Sequence, residues 1–351
     1  MRIVVNDIAA SKGGALTILK DFYNCVREND TENEWIFLLG DNILEETENI
    51  KIIPLPHIKN SWAKKLLFDF FTGKKFINKL QPDVVFSLQN TFTFGVKVPQ
   101  LIYLHQSIPF QKVKNFSFLK GAERTLAVYQ HLIGSVIKLS AKKCHKVIVQ
   151  TRWMQEAVMQ QCRLPEERVM QVAPSVADLP AYNTDIPFQP NRFFYPTASA
   201  IYKNNAAIYQ ACRILNEKNI HCDVALTLPP QHSKDDVRCI GRLPYNEVIE
   251  KYAESTLIFP SYIETFGFPM AEARKVGTVV LASNCPFSRE VLDGYENAYF
   301  FDPFKPEELA ALMERVILGD IVKKSSSQEA PDRSGGWLRI LNEIINVKPT
   351  K

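Results

Sequence analysis

Short runs of β-branched and aromatic residues recur along this chain, separated by longer stretches in which apolar positions fall at helical spacing. The runs are Ile3–Val5, Trp35–Leu39, Val84–Phe86, Leu101–Tyr103, Val147–Val149, Phe193–Tyr195, Asp223–Leu228, Leu257–Phe259 and Val279–Ala282. Each is predicted to form a strand. The amphipathic stretches Ala15–Arg27, Arg124–Ala141, Ala206–Asn216 and Tyr245–Ala253 are predicted to form helices. Strands that alternate with helices imply parallel sheets covered by helices, an α/β architecture.

The strands fall into two groups. One ends near Val172 and the other starts near Phe193. The segment Ala173–Arg192 holds four prolines and little periodicity, so it is expected to be a linker. The reading is therefore of two doubly wound, Rossmann-like domains facing a cleft, over residues 1–173 and 174–334. Gly319–Gly336 is polar and rich in Ser and Lys, and is expected to be a mobile connection. After Gly335-Gly336, Trp337–Ile345 reads as a closing amphipathic helix within 335–351, expected to pack back on the N-terminal domain.

Composition narrows the class. A chain of 351 residues has room for two domains of ordinary size. No apolar run approaches the roughly 18–20 residues that span a bilayer. Met1–Asn6 reads as a first strand rather than a leader peptide. The seven cysteines are scattered and form no Cys-x-x-Cys pair. Reduced thiols in a cytoplasm are expected, with neither a disulfide frame nor a zinc site.

The net charge of +4 does not by itself imply nucleic acid, and no nucleic-acid-binding motif accompanies the basic residues. Those residues are nevertheless clustered. Lys59, Lys64, Lys65, Lys74, Lys75 and Lys79 share one stretch with Trp62, Phe68, Phe70, Phe71 and Phe76. Trp62–Phe76 fits either a helix that packs its aromatics inward or a surface that lies on anionic lipid.

The candidate chemistry concentrates between Leu257 and Ser283. Leu257-Ile-Phe259 is a strand, Pro260–Phe268 a loop, and Pro269 suits the first helical position because its missing N–H costs nothing there. Gly277 is a suitable left-handed stop before the next strand. The loop thus lies at the carboxyl end of a parallel strand, where α/β proteins bind ligands. Gly267 lets a backbone approach a ligand closely, and the helix N-terminus favours an anion such as a diphosphate. Glu264 precedes this anion site and Glu272 follows it. Their spacing alone also fits an ordinary helix start that favours Glu. As ligand groups, carboxylates repel phosphate and suit hydroxyls, so the arrangement is compatible with a nucleoside diphosphate sugar.

Pro260-Ser-Tyr-Ile-Glu-Thr-Phe-Gly-Phe-Pro-Met-Ala-Glu-Ala273 resembles the signature of family 4 glycosyltransferases (group 1), the retaining enzymes with the GT-B fold. Gly277–Ser283, Ser288–Leu292, Phe301-Asp-Pro303 and Glu307–Ala310 follow in the family's order, and Val147–Thr151 resembles the last strand of its N-terminal domain. The resemblance is specific over about residues 190–312 and looser before them. It implies an acceptor domain followed by a donor domain.

The same resemblance implies roles for single residues. Glu264 would face the donor sugar and Glu272 would bind the ribose. Thr265, Phe266 and Gly267 would offer backbone contacts, and Lys203 would neutralise the diphosphate. A fixed cation there agrees with the negative charge that a leaving diphosphate gains. His105 would lie near the sugar and acceptor, with Gln106 where the family commonly has Asp. Gly13 and Gly14, in Ser11-Lys-Gly-Gly14, would approach the donor phosphates. No metal or other cofactor is implied.

The family's Arg shortly before the lysine is missing from Tyr195–Ala200. The expected activity is sugar transfer from a nucleotide-sugar donor to a glycan or lipid-linked acceptor, in cell-surface polysaccharide synthesis at the cytoplasmic side of the membrane. A donor-binding, catalytically weak subunit that assists another transferase is the alternative raised by the missing Arg. Nucleotide-sugar epimerisation is a third option.

Overall fold

The computed structural model describes residues 1–10, 13–59, 61–176, 178–324 and 336–347, and of Trp62 only the backbone. Ser11 and Lys12 of the glycine loop, and 325–335 of the expected connection, lie outside the described residues. The chain forms two compact units. One comprises Met1–Ser175 with Arg333–Lys351, the other Val176–Asp332.

The first unit is built on seven parallel strands: β1 (Arg2–Asp7), β2 (Glu34–Leu39), β3 (Ile50–Pro54), β4 (Val84–Ser87), β5 (Gln100–Leu104), β6 (Lys146–Val149) and β7 (Val169–Gln171). Their order is β3-β2-β1-β4-β5-β6-β7. Val4 pairs with Ile36 on one side and with Val85 on the other, so the direction of winding reverses beside β1. Helix Gly13–Asn29 covers this centre through Phe22, whose ring lies 4.9 Å from Phe86 and 5.9 Å from Trp35. The closing helix, Gly336–Ile345, joins the same core through Ile340, Leu341 and Ile344, with Trp337 5.4 Å from Phe22. An ion pair between Lys146 and Glu343 fastens it to the start of β6.

The second unit has six parallel strands: β8 (Arg192–Tyr195), β9 (Asp223–Leu226), β10 (Val237–Cys239), β11 (Thr256–Phe259), β12 (Val280–Ser283) and β13 (Ala298–Phe301). Their order is β10-β9-β8-β11-β12-β13, so here the winding reverses between β8 and β11. The two doubly wound α/β units expected from the sequence are both present.

Two amphipathic stretches are less regular than their periodicity predicts. Trp62–Lys79 is α-helical to Leu67, π-helical over Phe68–Thr72, and α-helical again from Gly73. A Cβ at Gly73 would sit 2.6 Å from the Phe68 carbonyl oxygen, so the wide turn closes only around glycine. Arg124–Lys143 is interrupted in the same way by the π-turn Val128–Ile133.

Within Trp62–Phe76 the aromatics divide. Phe68 is buried and Phe70 stacks on Phe94 at 4.4 Å, whereas Leu67 and Phe71 are 51% and 64% exposed. Among the described residues no helix is long and apolar enough to cross a membrane. All seven cysteines are free thiols.

Candidate active site

The loop after β11 and the loop after β8 meet where the second sheet reverses its winding, the position at which open α/β sheets bind ligands. The β8 loop ends in a single 3₁₀ turn, Ile201–Lys203. Asn204 stops that turn in the left-handed conformation at φ 56°, which asparagine tolerates better than most residues. Its side-chain amide donates to the Pro303 carbonyl at 2.7 Å and to the Pro260 carbonyl at 3.3 Å. The Tyr262 N–H donates to the Tyr202 carbonyl at 3.1 Å. These bonds fix the lysine loop against the glutamate loop.

Lys203 and Glu264 therefore meet. Lys203 Nζ lies 2.5 Å from Glu264 Oε1, with 20% and 17% of the two side chains exposed. Ser261 Oγ donates to the same oxygen at 2.8 Å. Burial works against the lysine's charge. Burial is the largest single effect, but the Glu264 carboxylate, together with Tyr195 and Tyr202, holds the ammonium above its ordinary range. Beside the pair stands Tyr195, fully buried at the end of β8, its ring edge-on to Phe259 at 5.4 Å. Its hydroxyl finds no hydrogen-bond partner, and burial pushes the phenol's pKa up.

The β11 loop then turns at Gly267, φ 94°, into helix Phe268–Val276. A Cβ there would meet Met270 Cε at 2.6 Å, but a flexible side-chain end can yield. The positive φ is the stronger demand, at roughly 1–2 kcal/mol for a non-glycine residue. Pro269 is the second helical residue rather than the expected first, still within the turn whose N–H groups have no helical partner. Gly277 ends the helix at φ 77°. Phe266 is buried, its ring 5.1 Å from Phe268, and Thr265 is partly buried.

Glu272 has a different environment from Glu264. It faces helix Tyr245–Glu254 and accepts from the fully buried Tyr252 hydroxyl at 3.2 Å. Burial raises its pKa, against hydrogen bonds from Tyr252 and Tyr245. The two glutamates of one signature thus serve one cation and two phenols respectively.

The remaining candidates belong to the first unit. Gly13 and Gly14 open helix Gly13–Asn29, and a Cβ at Gly14 would meet nothing within 4 Å. His105 directly follows β5. Its backbone N–H donates to Asn90 Oδ1 at 2.7 Å, which turns Asn90 Nδ2 toward the ring Nε2 at 3.2 Å. Nε2 is then the acceptor and the neutral ring carries its proton on Nδ1. Burial, helped by nearby Lys65, lowers the His105 pKa to about 4, so it is neutral at pH 7.

Sequence reading missed Ser261, Asn204 and Tyr195, which brace or border the ion pair. It also missed Tyr252 and Tyr245, which hold Glu272. Ser261 and Asn204 had a local signal, three residues before Glu264 and next to Lys203 in the same loops. The tyrosines come from separate elements and carry none.

Residues 231–333, which include the β11 loop, match the family model described as "Glycosyl transferases group 1". Comparison with curated proteins finds no match. Several solved structures are similar over nearly the whole chain. WaaG, a glycosyltransferase involved in lipopolysaccharide biosynthesis, is 14% identical with a TM-score of 0.68, over 98% of this chain and 100% of that one. Anabaena HepE in complex with UDP-glucose is 14% identical with a TM-score of 0.64, over 99% and 100%. Sucrose-phosphate synthase from Thermosynechococcus elongatus is 16% identical with a TM-score of 0.62, over 98% and 94%. At such identities the likeness shows the fold, two Rossmann-like α/β units of the GT-B type.

Proposed function

We propose that this chain is a retaining glycosyltransferase that moves a sugar from a nucleotide-sugar donor to an acceptor hydroxyl, in the synthesis of a cell-surface glycan. The observation that carries the proposal is the Lys203–Glu264 pair, held beside the Gly267-headed helix where the second sheet reverses its winding. The glycosidic C–O bond to the diphosphate breaks and a C–O bond to the acceptor forms. The acceptor's proton leaves with the diphosphate. Lys203 and the N-terminus of helix Phe268–Val276 would meet the charge that develops on the leaving group. Glu264 would hold Lys203 and face the sugar. Glu272, already bound by two phenols, would take the ribose hydroxyls. The likeness to the UDP-glucose complex of HepE and the match to the group 1 model support this reading.

A thermal-shift screen of UDP-, GDP- and ADP-sugars tests it. One donor at about 100 times its Kd should add roughly 2.7 kcal/mol of stability. Turnover with that donor should survive EDTA, since the proposed charges are met without a metal. No shift with any nucleotide sugar would sink the proposal.

A catalytically weak, donor-binding subunit is the second reading. It is favoured by the commitment of Lys203 to Glu264 and of the Thr197 hydroxyl to Asn205 Oδ1 at 3.0 Å. Nucleotide binding without turnover until a second protein is added would favour it.

The exposed Leu67 and Phe71, with exposed Lys64, Lys74 and Lys75, motivate a further proposal, that this helix rests on anionic membrane. The double substitution Leu67→Ser/Phe71→Ser should then reduce co-sedimentation with phosphatidylglycerol vesicles by about tenfold or more. Unchanged co-sedimentation would refute the contact.

A further inference from the structure

Tyr195 ends β8 beside the Lys203–Glu264 pair, 0% exposed, and its hydroxyl has no hydrogen-bond partner. A buried donor left unpaired is costly, and phenylalanine would fill the same space without that cost. The hydroxyls of Ser261 and Thr197 border the phenol, and neither completes a bond with it. Each has its own acceptor. Ser261 Oγ donates to Glu264 Oε1 at 2.8 Å, and Thr197 Oγ1 to Asn205 Oδ1 at 3.0 Å.

The neighbouring pair has the opposite difficulty. To meet a diphosphate Lys203 must turn its ammonium away from Glu264, which it holds at 2.5 Å with both side chains largely buried. Turning away strips the carboxylate of its counter-charge, and a buried charge without a partner is strongly destabilising. A spare donor within reach of Glu264 lowers that barrier. Ser261 has one proton and already gives it to this carboxylate. Tyr202 borders the pair too, but it is only partly buried and its ring faces the lysine at 5.9 Å. Tyr195 lies close enough to feel both charges of the pair, and its proton is unused.

The mechanics suit an exchange. The Tyr195 ring is fixed edge-on to Phe259 at 5.4 Å, whereas its hydroxyl hydrogen rotates to suit an acceptor. Glu264 is the flexible member and can swing to the phenol. The second glutamate of the signature shows that such a bond forms in this unit, since Glu272 accepts from the buried Tyr252 hydroxyl at 3.2 Å. We infer that Tyr195 is a positioning residue, whose hydroxyl replaces Lys203 as donor to Glu264 when the lysine turns to a diphosphate. The cation then leaves without stranding a buried carboxylate. The diphosphate in this inference rests on the proposed function; the exchange of lysine for phenol does not.

A double-mutant cycle of Tyr195→Phe with Lys203→Met, read as melting temperatures of the full chain, tests the exchange without any ligand. In the wild-type background Tyr195→Phe removes an unpaired hydroxyl, so the melting temperature should hold or rise. In the Lys203→Met background the phenol is the replacement donor. The same substitution should there lower the melting temperature by about 3 °C or more, the size of roughly one hydrogen bond to a charged group. Lys203→Ala gives the same cycle if Lys203→Met fails to fold. Calorimetric titrations with UDP, GDP and ADP supply the second readout. Tyr195→Phe alone should weaken the nucleotide that binds by about fivefold or more, while leaving the fold as stable as before. A tyrosine that only fills space would not separate affinity from stability in this way. Equal melting shifts in the two backgrounds, or nucleotide affinity within about twofold of wild type, would overturn the inference. If none of the three nucleotides binds, the proposed function fails and the melting cycle still decides the exchange.

Discussion

Glu264→Gln and Lys203→Met should each lower turnover by about two to three orders of magnitude, the range for losing one preorganised electrostatic group at a reacting centre. Their effects on stability should differ from their effects on rate. Each single substitution strips one partner from a pair whose side chains are four-fifths buried. An unpaired charge left there costs roughly 2–4 kcal/mol, somewhat less than in a fully buried pair. In Glu264→Gln the lysine loses the carboxylate that offsets its burial, so its pKa should fall. The double variant Lys203→Met/Glu264→Gln leaves neither charge stranded. It should recover most of the stability and none of the turnover. Urea melts and steady-state rates on the three variants form a double-mutant cycle that separates structure from chemistry. Restored turnover in the double variant, or single variants within threefold of wild type, would remove the pair from the reaction. Glu272→Ala belongs to the same series. Held by phenols rather than by a cation, it should raise the donor KM with a smaller effect on kcat.

Asp7→Asn should stabilise the protein at pH 8 and have little effect near pH 4. Burial lifts the Asp7 pKa from 3.8 to about 7, against the attraction of Lys65 and a backbone bond from Ala10. Asp69, which lines one cavity with Asp7, is lifted to about 6 by burial, against Lys65 and the Thr91 hydroxyl. Both folded values lie above the unfolded ones. The protonated acids therefore contribute stability that is fully present below about pH 4, and it is lost as pH rises through 6 to 7. At about 1.4 kcal/mol per pKa unit, the Asp7 shift corresponds to a penalty on the order of 4 kcal/mol at pH 8. Asparagine has the same shape and no charge, but it also removes an attraction on Lys65, whose pKa burial already lowers. The net gain at pH 8 should be about 1–3 kcal/mol. Urea melts at pH 4.5, 6 and 8 check the sign. A destabilised variant at pH 8, or the same difference at every pH, would show that Asp7 is not held as a buried acid.

The sequence was most informative where a residue's own run or turn decides its state. Its nine predicted strands are the nine interior strands of the two sheets. Each is closed on both faces by helices and so needs a continuous apolar run. The four strands it missed, β3, β7, β10 and β13, are the four sheet edges. β3 and β10 alternate buried with exposed positions, and most of β7 and β13 is only partly buried. Pairing with a neighbour, rather than composition, makes these segments strands. The π-turns were illegible for a related reason, because hydrophobic period does not register one extra residue in a helix.

The same division runs through the candidate sites. Gly267, Pro269 and Gly277 set the β11 loop and its helix through local backbone constraints, so that element could be read from the chain alone. The sequence likewise picked out Lys203 and Glu264, sixty-one residues apart, but their joining depends on β8 and β11 lying side by side. Tyr252 and Tyr245 reach Glu272 only because one helix packs on another. Asp7, Lys65, Asp69, Gln89 and His105 come from four separate stretches and become one cavity only where the first sheet reverses its winding. Local pattern determined which segments would be strands, helices and turns, because steric and burial demands act within a few residues. Tertiary structure decided which charges are paired and which buried groups are left unsatisfied, because electrostatics and desolvation act across space and depend on what the fold places nearby.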